Sequence, residues 1–195
     1  MKRAVFLDRD GVLNRNIWNP ATKAYESPLT PEQLELLPGV IPALHLLSGA
    51  GYLLFLVSNQ PNYAKGKSAM STLEAIHSKL DRLLTAANVL FTAYYYCFHH
   101  PVFTGKCVCR KPSPYFLFQA RDCFDVDLAH SWMVGDRATD IQCGRAAGTR
   151  TVEIIDAPVS SAGADWVAVD LWSAAQMMIV TDQTESAGTS FLAAI

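Results

Sequence analysis

The chain has 195 residues, 50% of them hydrophobic and 17% charged, which is enough for one α/β domain with a full core and too little for two. Its 16 basic and 18 acidic residues leave a formal charge of −2, so bulk charge gives nucleic-acid binding no support. No run approaches the ~18 consecutive apolar residues of a membrane helix. Met1-Lys2-Arg3 leads into a short run ending at an acid, not into a signal-peptide core, so a cytoplasmic address is expected.

Taken in chain order, Ala4-Val5-Phe6-Leu7 is a short apolar run that stops at Asp8. Pro38-Gly39 opens a helix with Val40, Leu44 and Leu47 on one face and Gly51 as its stop. Tyr52 to Val57 is a second apolar run, and it stops at Ser58. Ser68 to Asn88 carries Leu73, Ile76, Leu80, Leu83, Leu84 and Ala87 at helical spacing. Tyr94-Tyr95-Tyr96 stops at Cys97. Ser113 caps a third helix, with Pro114 at its first position and Phe116, Ala120 and Phe124 inward. Ser131 to Val134 stops at Gly135-Asp136, Arg137 to Ala147 is a fourth helix closed by Gly148, and Arg150 to Ile155 is a fifth strand. Short apolar runs between helices fit buried parallel strands, so the expected fold is α/β, an open parallel sheet with helices on both faces. The expected domain is 1–180. Residues 181–195 are polar and lack periodicity, which reads as a mobile tail whose Phe191 to Ile195 could dock.

In open α/β sheets, ligands bind beyond the carboxyl ends of the strands. Polar groups stand there after three runs: Asp8 and Asp10, then Ser58 and Asn59, then Asp136 and Asp140. Arg110-Lys111-Pro112 joins them just before a helix. Carboxylates, a hydroxyl and a lysine on one edge suit a divalent cation plus a phosphoryl group. Mg²⁺ takes carboxylates and keeps waters, and Lys answers phosphate charge.

The five cysteines are Cys97, Cys107, Cys109, Cys123 and Cys143. An odd count with three of them inside 13 residues argues against a disulfide framework. Cys97-x-His99 and, seven residues on, Cys107-x-Cys109 make a complete tetrahedral zinc set, closed and therefore structural. His99 suits the spacing better than His100. A redox pair at Cys107 and Cys109, or unrelated thiols, are the competing readings. Cys123 and Cys143 lie in helical patterns and are expected to be buried.

Asp8-Arg9-Asp10-Gly11-Val12 resembles the first motif of the haloacid dehalogenase-like phosphatases. Ser58 fits the second motif, Lys111 the third, and Gly135-Asp136 with Asp140 the fourth, in order over residues 4–156. The resemblance implies that Asp8 is the nucleophile and Asp10 the general acid and base, with Ser58 and Lys111 stabilising the phosphoryl group. It also implies Mg²⁺ on Asp8, Asp136 and the Asp10 carbonyl. Asp140 either supports the site from behind or caps its helix. Cys97-Phe98-His99-His100-Pro101 and Cys107-Val108-Cys109-Arg110-Lys111-Pro112 narrow the resemblance to the heptose-bisphosphate and histidinol-phosphate phosphatase group, where a zinc loop leads into the motif lysine.

Only 47 residues separate Asp10 from Ser58 and 52 separate Ser58 from Lys111, so no lid domain fits. Substrate recognition then falls to Asn14 to Pro31, Gln60 to Lys67 and the zinc loop, with Asn59, Gln60 and Arg110 as candidate contacts. Ser58-Asn59-Gln60-Pro61-Asn62 and Ala64-Lys65-Gly66 depart from the family's usual Thr-Asn-Gln-Ser-Gly and Ala-Arg-Gly, and Pro61 removes a backbone N–H. The expectation is a monomeric phosphomonoester hydrolase with catalytic Mg²⁺ and structural zinc, acting on a small phosphorylated metabolite. The leading substrate is heptose 1,7-bisphosphate, attacked at the 7-phosphate, ahead of histidinol phosphate. A phosphotransferase and a catalytically silent zinc-bearing module are the rivals.

Overall fold

A computed structural model describes residues 1–155 and 163–192. In chain order its elements are β1 (Ala4–Leu7), β2 (Ile17–Asn19), β3 (Ala24–Glu26), α1 (Val40–Gly49), β4 (Leu53–Asn59), α2 (Met70–Ala86), β5 (Ala93–Cys97), α3 (Pro101–Thr104), α4 (Tyr115–Phe124), β6 (Trp132–Gly135), α5 (Ala138–Ala147), β7 (Arg150–Ile154), β8 (Trp166–Ala168) and α6 (Leu171–Leu192). Six strands form one sheet in the order β5-β4-β1-β6-β7-β8, all pairs parallel. β2 and β3 pair antiparallel as a separate hairpin.

Alternate residues of each strand pack on opposite faces, as the period of two requires. Val5, Leu7, Leu54, Leu56 and Val134 meet α1, α2 and α6 in one core. Ala4, Phe6, Phe55, Val57 and Met133 meet α4 and α5 in the other. Both faces of the sheet are covered, which is why its strands read as unbroken apolar runs. β1 lies centrally, between β4 and β6, and the chain winds outward from it in both directions. The crevice at that switch point is where such sheets place ligands.

The structure departs from the sequence expectations in three places. The stretch 17–26, expected as loop, contains the hairpin, and β8 adds a short edge strand. No break falls at residue 180, because α6 continues to Leu192. Asp182 within it bonds Arg3, Tyr52 and Arg150, the last at 2.9 Å. Residues 193–195, part of the segment expected to dock, lie outside the described residues. Cys143 is buried as expected, but Cys123 is exposed. Leu117, Ala120 and Phe124 form the inner stripe of α4, and Cys123 sits about 100° round the helix from Phe124. Among the described residues no helix is long and apolar enough to cross a membrane.

Candidate active site

β1 is buried to its last residue, and the backbone leaves the sheet at Asp8, whose N–H donates to Val134 O at 3.0 Å. Gly11 has φ +82°, and a Cβ there would stand 2.1 Å from Asp136 Oδ2. Glycine therefore lets the Asp8–Asp10 turn close onto Asp136. Gly135 serves the same end, since a Cβ on it would meet Asp140 Cβ at 2.1 Å.

Lys111 enters from the loop before α4 and is 2% exposed. Its Nζ lies 3.0 Å from Asp8 Oδ1 and 2.6 Å from Asp140 Oδ1, and it donates to Val57 O at 2.7 Å. Burial opposes its charge, but Asp140 and Asp8 hold its pKa above the ordinary lysine value. Asn59 clamps the Lys111 backbone, accepting its N–H at 3.1 Å and donating to its carbonyl at 3.2 Å.

Asp8, Asp136 and Asp140 bring carboxylate oxygens within 4.8 Å of one another. Burial, then Asp8 and Asp140, push the Asp136 pKa up to about 7, and burial pushes Asp140 up to about 6 against the pull of Lys111. Asp136 Oδ1 is buried and finds no hydrogen-bond partner among the described residues. Arg137 Nε lies 3.8 Å away as an ion pair, and a crowded hard-oxygen set with an oxygen that no hydrogen bond satisfies fits a divalent cation such as Mg²⁺. Asp140 combines both roles left open for it. Its Oδ2 accepts the Arg137 N–H at 3.1 Å at the start of α5, while its Oδ1 faces Lys111.

Asp10 is 4% exposed and gripped from four directions. Arg9 Nε and Nη2 donate to its Oδ1 at 3.1 and 3.0 Å, and Asn14 Nδ2 donates to the same oxygen at 2.9 Å. Gln60 Nε2 and Ser27 Oγ donate to Oδ2 at 2.6 and 2.7 Å. Burial alone would raise the Asp10 pKa. Arg9 first, then Asn14, Gln60 and Ser27, hold it below the ordinary aspartate value.

These partners correct one expectation. Gln60 does not reach the substrate side: it is 1% exposed, donates to Asp10 and to Ser58 Oγ at 3.0 Å, and accepts from Arg9 at 3.0 Å. A buried Arg–Asp pair needs its remaining lone pairs and protons satisfied, and the Gln60 amide supplies one of each. Ser58 is buried beside it at 2% exposure, in register with Tyr96 of β5.

Above this floor lies an open cavity of about 850 Å³. Asp8, Asp10, Lys111 and Asp140 reach it from below, and Asn59, Pro61 and Asn62 from the loop after β4. Tyr25, Glu26 and Ser27 form the hairpin side. Lys65, Lys67, Lys106, Arg110 and Arg137 also line it, so the wall around the acids is basic. Glu26 takes Lys67 Nζ on both oxygens at 2.8 Å, which with Thr22 holds the Glu26 pKa down at about 2. Arg110 lines the cavity and donates from Nη1 to His99 O at 3.2 Å.

Cys97, His99, Cys107 and Cys109 converge beside this wall. Cys97 Sγ stands 3.8 Å from His99 Nδ1, 3.7 Å from Cys107 Sγ and 3.4 Å from Cys109 Sγ. Cys109 Sγ is 3.5 Å from His99 Nδ1 and 3.7 Å from Cys107 Sγ. Bonds of about 2.3 Å to sulfur and 2.0 Å to nitrogen make the edges of a tetrahedron about this long, so the set fits zinc. His100 is outside it, its Nδ1 accepting Val102 N–H at 3.3 Å at the start of α3.

Sequence reasoning missed Arg9, Asn14 and Ser27 around Asp10, and the lysines of the cavity wall. Arg9 was readable as the middle residue of the acid pair. Ser27, 17 positions from Asp10, carries no local signal.

A HAD-hydrolase-like family model matches residues 108–154. The D-glycero-β-D-manno-heptose-1,7-bisphosphate 7-phosphatase of Salmonella typhi is 37% identical over 174 residues, covering 84% of this chain and 88% of that protein. Its counterpart in Escherichia coli strain K12 is 35% identical over 174 residues, covering 84% and 87%. The crystal structure of the D,D-heptose 1,7-bisphosphate phosphatase from B. bronchiseptica, complexed with magnesium and phosphate, aligns with a TM-score of 0.77 at 29% identity over 92% of this chain and 99% of that one.

Proposed function

Because this chain belongs to the HAD-like family of D-glycero-β-D-manno-heptose-1,7-bisphosphate 7-phosphatases, we propose that it removes the 7-phosphate of that sugar bisphosphate by way of an aspartyl-phosphate. The observation that carries this reading is Lys111 Nζ held between Asp8 and Asp140 at the cavity floor, with Asp10 two residues beyond Asp8. Asp8 attacks phosphorus, and Asp10, a carboxylate in the free site, takes up a proton as the anionic substrate binds and passes it to the leaving sugar oxygen. Water then attacks the aspartyl-phosphate and gives its proton to Asp10. Lys111 answers the phosphoryl charge, and Ser58, which accepts from Gln60, keeps its O–H free to donate. Mg²⁺ on Asp8, Asp136 and the Asp10 carbonyl would supply further positive charge at the phosphoryl oxygens. Zinc on Cys97, His99, Cys107 and Cys109 would tie the end of β5 to the turn that carries Arg110 and Lys111.

The basic wall favours a bisphosphate over histidinol phosphate. Lys65, Lys106, Arg110 and Arg137 suit a second anion and would repel the amine of histidinol. Free thiols outside any disulfide suit a reducing, cytoplasmic compartment. Phosphate release with Mg²⁺ across sugar mono- and bisphosphates and histidinol phosphate tests the reading. The highest kcat/KM is expected for heptose 1,7-bisphosphate, and a preference for histidinol phosphate would overturn the substrate. Phosphate found on an acceptor alcohol instead of in solution would identify a transferase.

A further inference from the structure

We propose that Ser27 is a positioning residue that couples the seating of the β2–β3 hairpin over the cavity to the orientation of the Asp10 carboxyl group; this rests on the acid role given to Asp10 above. Three of the partners of Asp10 belong to the body of the domain. Arg9, Asn14 and Gln60 are 1%, 0% and 1% exposed and come from the β1 loop and the end of β4. Ser27 is different. It follows the last residue of β3, it is only partly buried, and it lines the cavity. Its hydroxyl nevertheless donates to Asp10 Oδ2 at 2.7 Å.

The next residue back pins the hairpin to the opposite wall. Glu26 accepts from Lys67 on both oxygens at 2.8 Å, and Thr22 Oγ1 donates to Glu26 Oε1 at 2.8 Å within the hairpin. Residues 26 and 27 thus link the loop after β4, the hairpin and the acid in one line across the cavity. A substrate that contacts Tyr25 or Lys67 would act on the same hairpin that holds Asp10.

The attachment of each partner makes Ser27 distinct. Arg9, Asn14 and Gln60 each meet Asp10 through N–H groups, which only donate. Ser27 instead meets it through a hydroxyl carried at the end of the hairpin, so its bond to Oδ2 moves with the hairpin. In the step concerned, a bond forms between an Asp8 oxygen and phosphorus as the bond from phosphorus to the sugar oxygen breaks. The electron pair of the broken bond stays on that oxygen, which takes the proton from Asp10. Ser27 touches neither reacting centre in this account and acts by aiming Oδ2.

The experiment compares Ser27→Ala and Ser27→Thr with the wild type on two leaving groups. Release of heptose 1-phosphate from heptose 1,7-bisphosphate, in the first turnover by rapid quench, needs a proton from Asp10. The burst of p-nitrophenolate from p-nitrophenyl phosphate does not. Loss of one hydrogen bond to a charged group predicts an approximately tenfold slower first turnover of the heptose substrate in Ser27→Ala. KM is expected to stay within about twofold, the p-nitrophenolate burst to be unchanged, and Ser27→Thr to restore the rate. Equal slowing on both substrates, slowing on neither, or a change in KM alone would overturn the inference. A wild type that releases phosphate from neither substrate would instead count against the proposed phosphatase function on which the inference rests.

Discussion

Lys111 and Asp10 are buried charges of opposite sign held by different means. Lys111 faces two carboxylates, whereas Asp10 is enclosed by Arg9 and neutral donors. Asp8→Asn is expected to abolish phosphate release, because an amide is no nucleophile toward phosphorus. Asp10→Asn should slow it by ~10²–10⁴, the usual scale of general acid–base help. Steady-state kinetics with circular dichroism checks both. A folded Asp8→Asn protein at wild-type rate would remove the mechanism. The pKa of Asp136, raised to about 7 chiefly by burial, makes a pH prediction. A carboxyl whose folded pKa lies above its unfolded value favours folding below the unfolded value, and that contribution is lost as pH rises through the folded one. Without metal, stability should therefore fall between about pH 4 and pH 7 through Asp136. Mg²⁺ should raise the Tm more at pH 8 than at pH 5, as thermal melts with and without MgCl₂ would record; an equal gain at both would deny the cation that site.

The Cys/His loop is the element that most depends on something other than core. Val102, Phe103 and Val108 are exposed at 80%, 57% and 68%, so packing does little to hold it. Cys97 is the buried exception, at the end of β5, beside Asn59. Zinc joining the strand end to the Cys107–Cys109 turn would fix the backbone that delivers Arg110 and Lys111. Purified protein is expected to carry about one zinc per chain by elemental analysis. Cys107→Ser should lower the zinc content and reduce kcat through the loosened turn, while the core melts near its usual temperature. Active protein without zinc would refute this. The hairpin is the second element of this kind, since Trp18 and Tyr25 meet edge-on at 5.2 Å while both stay largely exposed.

At the scale of the molecule, the sheet separates chemistry from anchorage. The acids and Lys111 gather at the carboxyl ends of the strands. At the opposite edge, Arg3 precedes β1, Tyr52 precedes β4 and Arg150 opens β7, and Asp182 of α6 bonds all three. Asp182 is 12% exposed, so its loss would leave two cations and a phenol partly buried with fewer partners. Asp182→Ala is expected to destabilise the fold by about 2 kcal/mol, less than a fully buried pair because Arg3 is partly solvated. Urea unfolding would measure this, with kcat within about twofold of wild type. A variant as stable as wild type would show that α6 is held by Leu171, Ala174, Ala175 and Met178 alone.

Much of the site was legible in the sequence because its signals are local. Apolar runs that stop abruptly marked the strand ends, and the stops themselves were Asp8, Ser58, Cys97 and Gly135-Asp136. The Cys97-x-His99 and Cys107-x-Cys109 pairs carry their ligand spacing within 13 residues. Helical and strand periods likewise foretold helices on both faces of a parallel sheet. Other features were decided only when distant segments met. Gln60 turns inward because a buried Arg9–Asp10 pair requires an amide there, and Asp140 both caps α5 and faces Lys111 because the two are brought 2.6 Å apart. Residues 181–192, polar and without an apolar stripe, continue a helix whose Asp182 finds its partners at Arg3, Tyr52 and Arg150. Periodicity reports which face of an element is buried; it does not report which remote donor will meet a buried carboxylate, and that pairing needs the tertiary fold.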